Sequence, residues 1–180
     1  RHEFERVQNK NLLLKDLQSL VEQRLAQMMR NNPLRIDYYQ RYQDIVDEYN
    51  KDNKKDEIAI VFENLMKLVN DLDEEQKRYV KEGFDSDEEL SIFDLLISGQ
   101  SLSKDDIKKV KKLAQEMLTK IKARIHELDH WRDKEDTQSI ISVLIRDLLW
   151  QDLPESYEDK AIELYRQQIY EYVYQTYPAA

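Results

Sequence analysis

The chain has 180 residues, of which two are glycine, three are proline and none is cysteine, and its formal net charge is −9. So few helix breakers indicate long helices joined by short polar links, and they exclude the glycine-rich loops that cradle nucleotide phosphates. Without cysteine there is no disulfide framework or thiolate metal site, and no apolar run approaches the ~20 residues of a membrane span. We therefore expect a cytoplasmic, all-α protein.

Three helices are predicted in the first part of the chain. The first runs from about Phe4 to Arg30 and stops before Pro33, because proline disfavours a helical conformation at the preceding residue. Asp37 is expected to be the N-cap of the second, with Gln40 in capping-box position, and the third spans roughly Asp56 to Asp71. Their inward stripes are predicted to be Leu13, Leu14, Leu17, Leu20, Val21, Leu25 and Met28; then Tyr38, Tyr39, Tyr42, Ile45, Val46 and Tyr49; then Ile58, Val61, Phe62, Leu65, Leu68 and Val69.

Capping signals and glycines bound two further helices. A short fourth helix is expected to begin at Asp73 and to end at Gly83. A fifth begins at Ser86, with Glu89 in capping-box position, and ends at Gly99. Glycine is favoured at the C-terminal ends of these two helices because it adopts the left-handed conformation without steric cost.

The last three helices complete the predicted fold. The sixth is capped by Ser103, the seventh covers about Trp131 to Trp150, and the eighth is capped by Ser156 and Asp159 and ended by Pro178. Their inward residues are predicted to be Ile107, Val110, Ala114, Met117, Ile121, Ile125 and Leu128; then Ile141, Leu144, Ile145 and Leu148; then Ala161, Ile162, Tyr165, Ile169, Tyr172 and Val173. The whole is expected to be a single bundle of about seven to eight helices over residues 1–180, divisible into lobes 1–83 and 84–180.

Two groups of side chains have the chemistry of metal ligands. His126, Asp129 and His130 lie at i, i+3 and i+4, which on a helix places them on one face, but no fourth ligand is evident and a polar helix end is the preferred interpretation. The second group lacks the spacing of a calcium loop and is explained by helix capping; it comprises Asp85, Asp87, Glu88 and Glu89. We predict no catalytic residue and no metal-binding residue.

Two other groups are candidate contact residues. The tyrosines of the last helix spread more than half way around it, which favours a protein-binding role at the chain end for Tyr165, Tyr170, Tyr172, Tyr174 and Tyr177. A row of lysines on the sixth helix could contact DNA phosphates non-specifically: Lys104, Lys108, Lys111 and Lys112. Residues 51–102 carry 7 basic and 14 acidic side chains, an imbalance that would repel a phosphate backbone.

Two stretches carry a family resemblance. One is residues 32–50, NPLRIDYYQRYQDIVDEYN; the other is LSIFDLL at residues 90–96, followed by the helix from Ser103 and by WRDKEDT at residues 131–137. In this order and spacing they resemble the C-terminal helical region of the restriction (R) subunit of type I restriction-modification enzymes. The similarity covers nearly the whole chain.

The resemblance implies a part of an ATP-dependent type I site-specific deoxyribonuclease of bacterial defence. In that family the helical region is expected to brace the motor domains of its own chain and to dock onto the modification and specificity subunits, so that DNA is reached through the complex. The nuclease residues and the sites for ATP and Mg lie in domains outside this region, and the start without methionine also suggests a fragment. The alternatives are a stand-alone helical scaffold or regulatory module, and a weak, non-specific DNA-contacting module.

Overall fold

A computed structural model describes residues 2–52 and 57–179 of the chain, and every regular element among them is helical. The all-α prediction is thereby confirmed, with eight α-helices and two 3₁₀ turns within the described residues. The helices gather into two compact units, unit 1 (Arg1–Lys81) and unit 2 (Glu82–Ala180). None of the helices in the described part is both long enough and apolar enough to cross a membrane.

Unit 1 contains three long helices and one short one: α1 (His2–Asn31), α2 (Ile36–Asp52), α3 (Glu57–Gln76) and α4 (Arg78–Lys81). The predicted N-cap of α2 is wrong. A 3₁₀ turn at Pro33–Arg35 runs directly into α2, and Asn32 caps it by accepting a hydrogen bond from the Leu34 amide at 3.1 Å. Asp37 therefore lies inside the first turn of α2. The predicted start of the third helix, Asp56, lies outside the described residues.

The three long helices of unit 1 run up, down and up. Tyr42 of α2 contacts Glu22 of α1, and Arg41 of α2 contacts Asp71 of α3. Arg35, in the 3₁₀ turn that leads into α2, contacts Met28 of α1 and Glu75 of α3. In each pair of helices, one residue number rises as the other falls, so both pairs are antiparallel and α1 and α3 run parallel. Arg24 of α1 forms an ion pair with Asp73 of α3, which sets α3 alongside α1 at an offset of 49 residues.

Asp73 is thus a side chain of α3 rather than the start of a new helix, and the predicted fourth helix shrinks to α4. The core of unit 1 consists of Leu14, Val21, Leu25, Met28, Tyr42, Val61, Leu65, Leu68 and Leu72. Three residues expected to face inward, Leu13, Leu20 and Phe62, are exposed instead. The apolar stripes of α1 and α3 are broader than the seams in which they pack.

Unit 2 contains α5 (Asp87–Ile97), α6 (Lys104–Glu127), α7 (Glu135–Asp152) and α8 (Asp159–Thr176). Two predicted caps are confirmed, because Ser86 Oγ accepts from the Glu89 amide at 3.3 Å and Ser103 Oγ accepts from the Asp106 amide at 3.1 Å. Gly83 and Gly99 have φ of +83° and +74°, the left-handed conformation expected of them.

The starts of α7 and α8 differ from the prediction. Trp131 opens a 3₁₀ turn, and α7 begins only at Glu135. Glu158 precedes α8 without a side-chain capping bond, while the Ser156 hydroxyl donates to Asp106 Oδ2 at 3.0 Å. Ser156 therefore joins two distant segments instead of capping a helix.

The four helices of unit 2 close into a bundle in which each contacts its two neighbours, in the order α5, α6, α7, α8 and back to α5. Its buried apolar residues include most of those predicted for α6 and α7, together with Leu113 and Leu118, which the predicted α6 stripe omitted. α5 is buried over its whole circumference from Glu89 to Leu96, and this buried stretch includes the polar side chains of Glu89, Ser91 and Asp94 beside its apolar ones.

Candidate functional site

Three of the five tyrosines predicted to bind a partner belong to the core of unit 2. Tyr165, Tyr172 and Tyr177 are buried. The Tyr165 hydroxyl donates to the Ser98 carbonyl at 2.9 Å and accepts from Gln100 at 2.8 Å. The wide spread of tyrosines around α8 is thus accounted for by packing within unit 2, and of these five tyrosines only Tyr170 and Tyr174 are accessible at the surface.

Trp131 is the centre of an aromatic cluster that holds the end of α8. Its ring is fully buried, and its Nε1 donates to the Tyr177 carbonyl at 2.7 Å. The rings of Tyr170 and Tyr174 meet it edge-on, with centroids 6.1 and 5.7 Å away. Arg132 lies 5.3 Å above the Tyr174 ring and donates to that residue's carbonyl at 3.0 Å. Removing the segment from Tyr165 onward would therefore open the core of unit 2.

The buried tyrosines are not poised for proton transfer. Burial is the main cause that raises the pKa of Tyr172 to about 12, and it also raises the pKa of Tyr157 and Tyr177. These hydroxyls remain neutral at physiological pH, and that of Tyr157 donates to the Leu96 carbonyl at 2.6 Å.

The predicted lysine row separates into residues with different surroundings. Lys111 is half-buried, donates to the carbonyl and carboxylate oxygens of Glu82 at 3.1 and 2.7 Å, and lies within 6 Å of the Phe84 and Phe93 ring centroids. Lys112 is exposed, 3.7 Å from the carboxylate of Glu116. The side chains of Lys104 and Lys108 are exposed. Lys111 thus has a structural role, and only the other three lysines are open to a phosphate.

The histidine group does not converge on one point. α6 ends at Glu127, and His130 has a left-handed backbone with φ of +46°, so Asp129 and His130 leave the helix face that carries His126. The ring nitrogens of His130 lie 3.5 Å from Asp129 and 3.7 Å from Asp133, all at the exposed surface. Over the described ranges, no group of three or more His, Cys, Asp or Glu side chains is arranged to hold a metal ion.

The outward face of α7 carries a feature that is absent from the predicted contact residues. Ile141, Ile145 and Leu148 face the core, whereas Val143 and Trp150, seven residues apart, are exposed on the opposite side. Trp150 is 54% exposed, which is unusual for so large an apolar side chain. The missed signal was a second apolar pair at helical spacing, out of phase with the core stripe. We call Val143 and Trp150 the α7 outer face.

Comparison with known protein families places almost the whole chain in one family. Residues 1–174 match the family described as type I restriction enzyme HindI endonuclease subunit-like, C-terminal. The chain belongs to this family. The resemblance noted from the sequence is thereby confirmed at the level of the family. No curated protein and no solved structure matches the chain.

In this domain of the type I restriction enzyme family, α6 and residues 151–156 border an open depression of about 580 Å³. Its walls carry charges of both signs, among them Asp106, Lys112, Glu116 and Asp152. Lys112 pairs with Glu116, and Asp106 accepts from Ser156, so these groups largely satisfy one another. The hydroxyl of Ser156 and the carboxylate of Asp106, 3.0 Å apart, are within hydrogen-bond reach of each other, and their bond lies at the exposed surface.

Proposed function

We propose that this region is a non-catalytic docking domain of a type I restriction subunit, which braces the ATP-driven motor of its own chain and contacts the modification and specificity subunits. Membership of the C-terminal family supports the parent enzyme. The single observation that carries the docking role is the α7 outer face, where an exposed tryptophan lies on the side of the helix that the core of unit 2 does not use.

The chemistry of this face suits a protein interface. Trp and Arg are enriched among the few residues that supply most of the energy of protein–protein binding. Arg146 lies one helical turn before Trp150, and its guanidinium contacts Asp147 at 3.2 Å on the exposed surface. A partner that covers Trp150 would remove apolar surface from water without disturbing the core of unit 2.

The test is the substitution Trp150→Ala in the full restriction subunit, measured as affinity for the modification and specificity subunits. We expect assembly to weaken by about 30-fold, corresponding to about 2 kcal/mol for an interface anchor. Leu164→Ala on α8 is the matched control, because Leu164 and Trp150 are both 54% exposed. It should leave the affinity within about twofold of wild type.

The bracing and docking roles can be distinguished with the same Trp150→Ala variant, by measuring ATP hydrolysis as well as assembly. When the modification and specificity subunits are present at levels that saturate assembly, the Trp150→Ala complex should hydrolyse ATP at the wild-type rate, because the substitution lies outside the motor. If the Trp150→Ala, Leu164→Ala and wild-type subunits bind the modification and specificity subunits with equal affinity, the α7 outer face is not the docking surface.

A further inference from the structure

A second apolar surface lies on unit 1, along the seam between the parallel helices α1 and α3. Leu13 and Leu20 of α1 and Phe62 and Met66 of α3 are all exposed. We call these four residues the α1/α3 groove. None of them contributes to the core of unit 1, although each lies on a helix that does.

The helix register brings the four side chains to one seam. At the offset of 49 residues set by the Arg24–Asp73 pair, Leu13 lies level with Phe62, and Leu20 lies level with the half-buried Val69. Level with Met66 is Leu17, which is also half-buried against the core. The groove therefore has a floor of half-buried apolar side chains between two exposed apolar walls.

One end of the groove is closed by polar contacts. Arg24 is paired with Asp73 and donates to Gln76 Oε1 at 2.9 Å. From Leu13 to this pair, α1 advances by about 16 Å, which is the length of about three helical turns. The opening is thus sized for a short helical segment.

The lips of the groove carry acidic side chains. Asp16 lies on the exposed surface of α1, three residues after Leu13 and four before Leu20. On α3, Glu63 lies three residues before Met66 and at nearly the same level as Asp16. Glu63 contacts Lys67 at 3.3 Å, but both side chains are more than 60% exposed, so an incoming cation can replace this weak pair.

We propose that the α1/α3 groove binds an amphipathic α-helix whose apolar stripe is flanked by Lys or Arg. The apolar walls and floor match the stripe of such a helix, and the acidic lips match its basic flanks. This inference rests on the proposed docking function and adds to it a second surface and the chemistry of its partner.

The test uses the 180-residue chain and a designed helical peptide of about 14 residues, with leucines at i, i+4, i+7 and i+11 and lysines beside them. Binding is measured by fluorescence anisotropy. Leu13→Glu should weaken it at least tenfold, because it places a charge in the apolar wall. Leu12→Glu is the matched control: Leu12 is also 59% exposed but points away from the groove, so binding should change less than twofold. Leu20→Glu repeats the test at a second position, and far-ultraviolet circular dichroism verifies the helical content of each variant.

The charge preference is tested separately. A peptide with glutamates in place of the lysines should bind at least tenfold more weakly to the wild-type chain. Asp16→Lys should reduce the difference in affinity between the lysine and glutamate peptides. Asp44→Lys, on the exposed surface of α2, should leave that difference in affinity unchanged.

Equal binding to the Leu12→Glu and Leu13→Glu chains, no binding of either peptide, or no preference between the peptides would overturn the proposal. So would a dimer in sedimentation that Leu13→Glu dissociates and that excludes the peptide, since the occupant would then be a second copy. Trp150→Ala should not alter peptide binding. A negative result for the α1/α3 groove would therefore not count against the α7 outer face as a docking surface, and a negative result for the α7 outer face would not count against the groove.

Discussion

Glu75 is the residue on which the polar interior of unit 1 depends. It is buried, as is Arg35, whose Nε lies 3.0 Å from its carboxylate. Arg78 adds contacts at 2.9 and 3.0 Å, and the Tyr38 hydroxyl lies 3.5 Å away. Burial by itself raises the pKa of Glu75, but the hydrogen bonds from Arg78 and Arg35 outweigh it, and the net pKa is lowered from 4.5.

A carboxyl group whose pKa is lower in the folded than in the unfolded state stabilises the fold above its unfolded pKa and loses this effect as the pH falls through the folded value. We expect Glu75→Gln to reduce the free energy of unfolding at pH 7 by about 3 kcal/mol, because it removes the buried carboxylate that pairs with Arg35 and Arg78. The difference from wild type should shrink as the pH falls below about 4.5 and through the lower pKa of the folded state. Denaturant titrations at pH 7 and at acidic pH measure it.

The neighbouring Glu74 provides the control. Its pKa is also lowered, chiefly by the hydrogen bond from Lys81, but this pair is exposed to water. Glu74→Gln should therefore reduce the free energy of unfolding at pH 7 much less than Glu75→Gln does. Equal losses for the two variants would mean that the Arg35 pair contributes no more than a surface contact.

At the level of the helices, the sequence was a good guide where the deciding interaction is local. Ser86 and Ser103 cap their helices because each hydroxyl accepts a bond from an amide three residues away. The same pattern at Ser156 was misleading, since its hydroxyl bonds to Asp106, fifty residues earlier in the chain. Such a tertiary contact leaves no local signal. For the same reason the sequence predicts a helix start at Asp73, whereas this residue pairs with Arg24 from within α3.

Ser103 and Ser156 allow a direct comparison of capping with tertiary bonding. Ser103→Ala should destabilise the chain by about 1 kcal/mol, the usual cost of removing an N-cap. Ser156→Ala should cost about 0.5 kcal/mol or less, because its bond is at the exposed surface and water can replace it. Thermal or denaturant unfolding of the two variants gives the difference, and a larger loss for Ser156→Ala would show that its link to Asp106 matters more than the cap.

For the whole molecule, the fold class and the family could be predicted from the sequence, whereas the exposure of individual apolar side chains could not. Helical periodicity identifies apolar stripes but not how much of each stripe the neighbouring helices cover. Leu13 and Leu20 are therefore predicted to face inward although they are exposed. Tyr165 and Tyr172 are predicted both to face inward and to bind a partner, and they are buried. Trp150 was used only as a helix boundary, because its exposure depends on the rotation of α7 within unit 2.

DNA binding is also decided at the scale of the whole molecule, by its net charge of −9. We expect the chain to bind duplex DNA no more tightly than ~10⁻⁴–10⁻⁶ M at physiological salt, with affinity falling steeply as salt rises. The residual binding should depend on Lys104 and Lys108, which are exposed. Each lysine that contacts a phosphate adds about 0.9 to the slope of log affinity against log salt, so the double substitution to glutamine should flatten that slope by about 2.

Lys111 is the control for this measurement, because its ammonium group is bound to Glu82. Lys111→Gln should leave the salt slope unchanged and lower the stability of unit 2 instead. A sub-micromolar complex at physiological salt would contradict the electrostatic argument. In that case the three exposed lysines of the row, including Lys112, would have to act together against the field of the acidic residues, and the docking role would no longer explain the domain by itself.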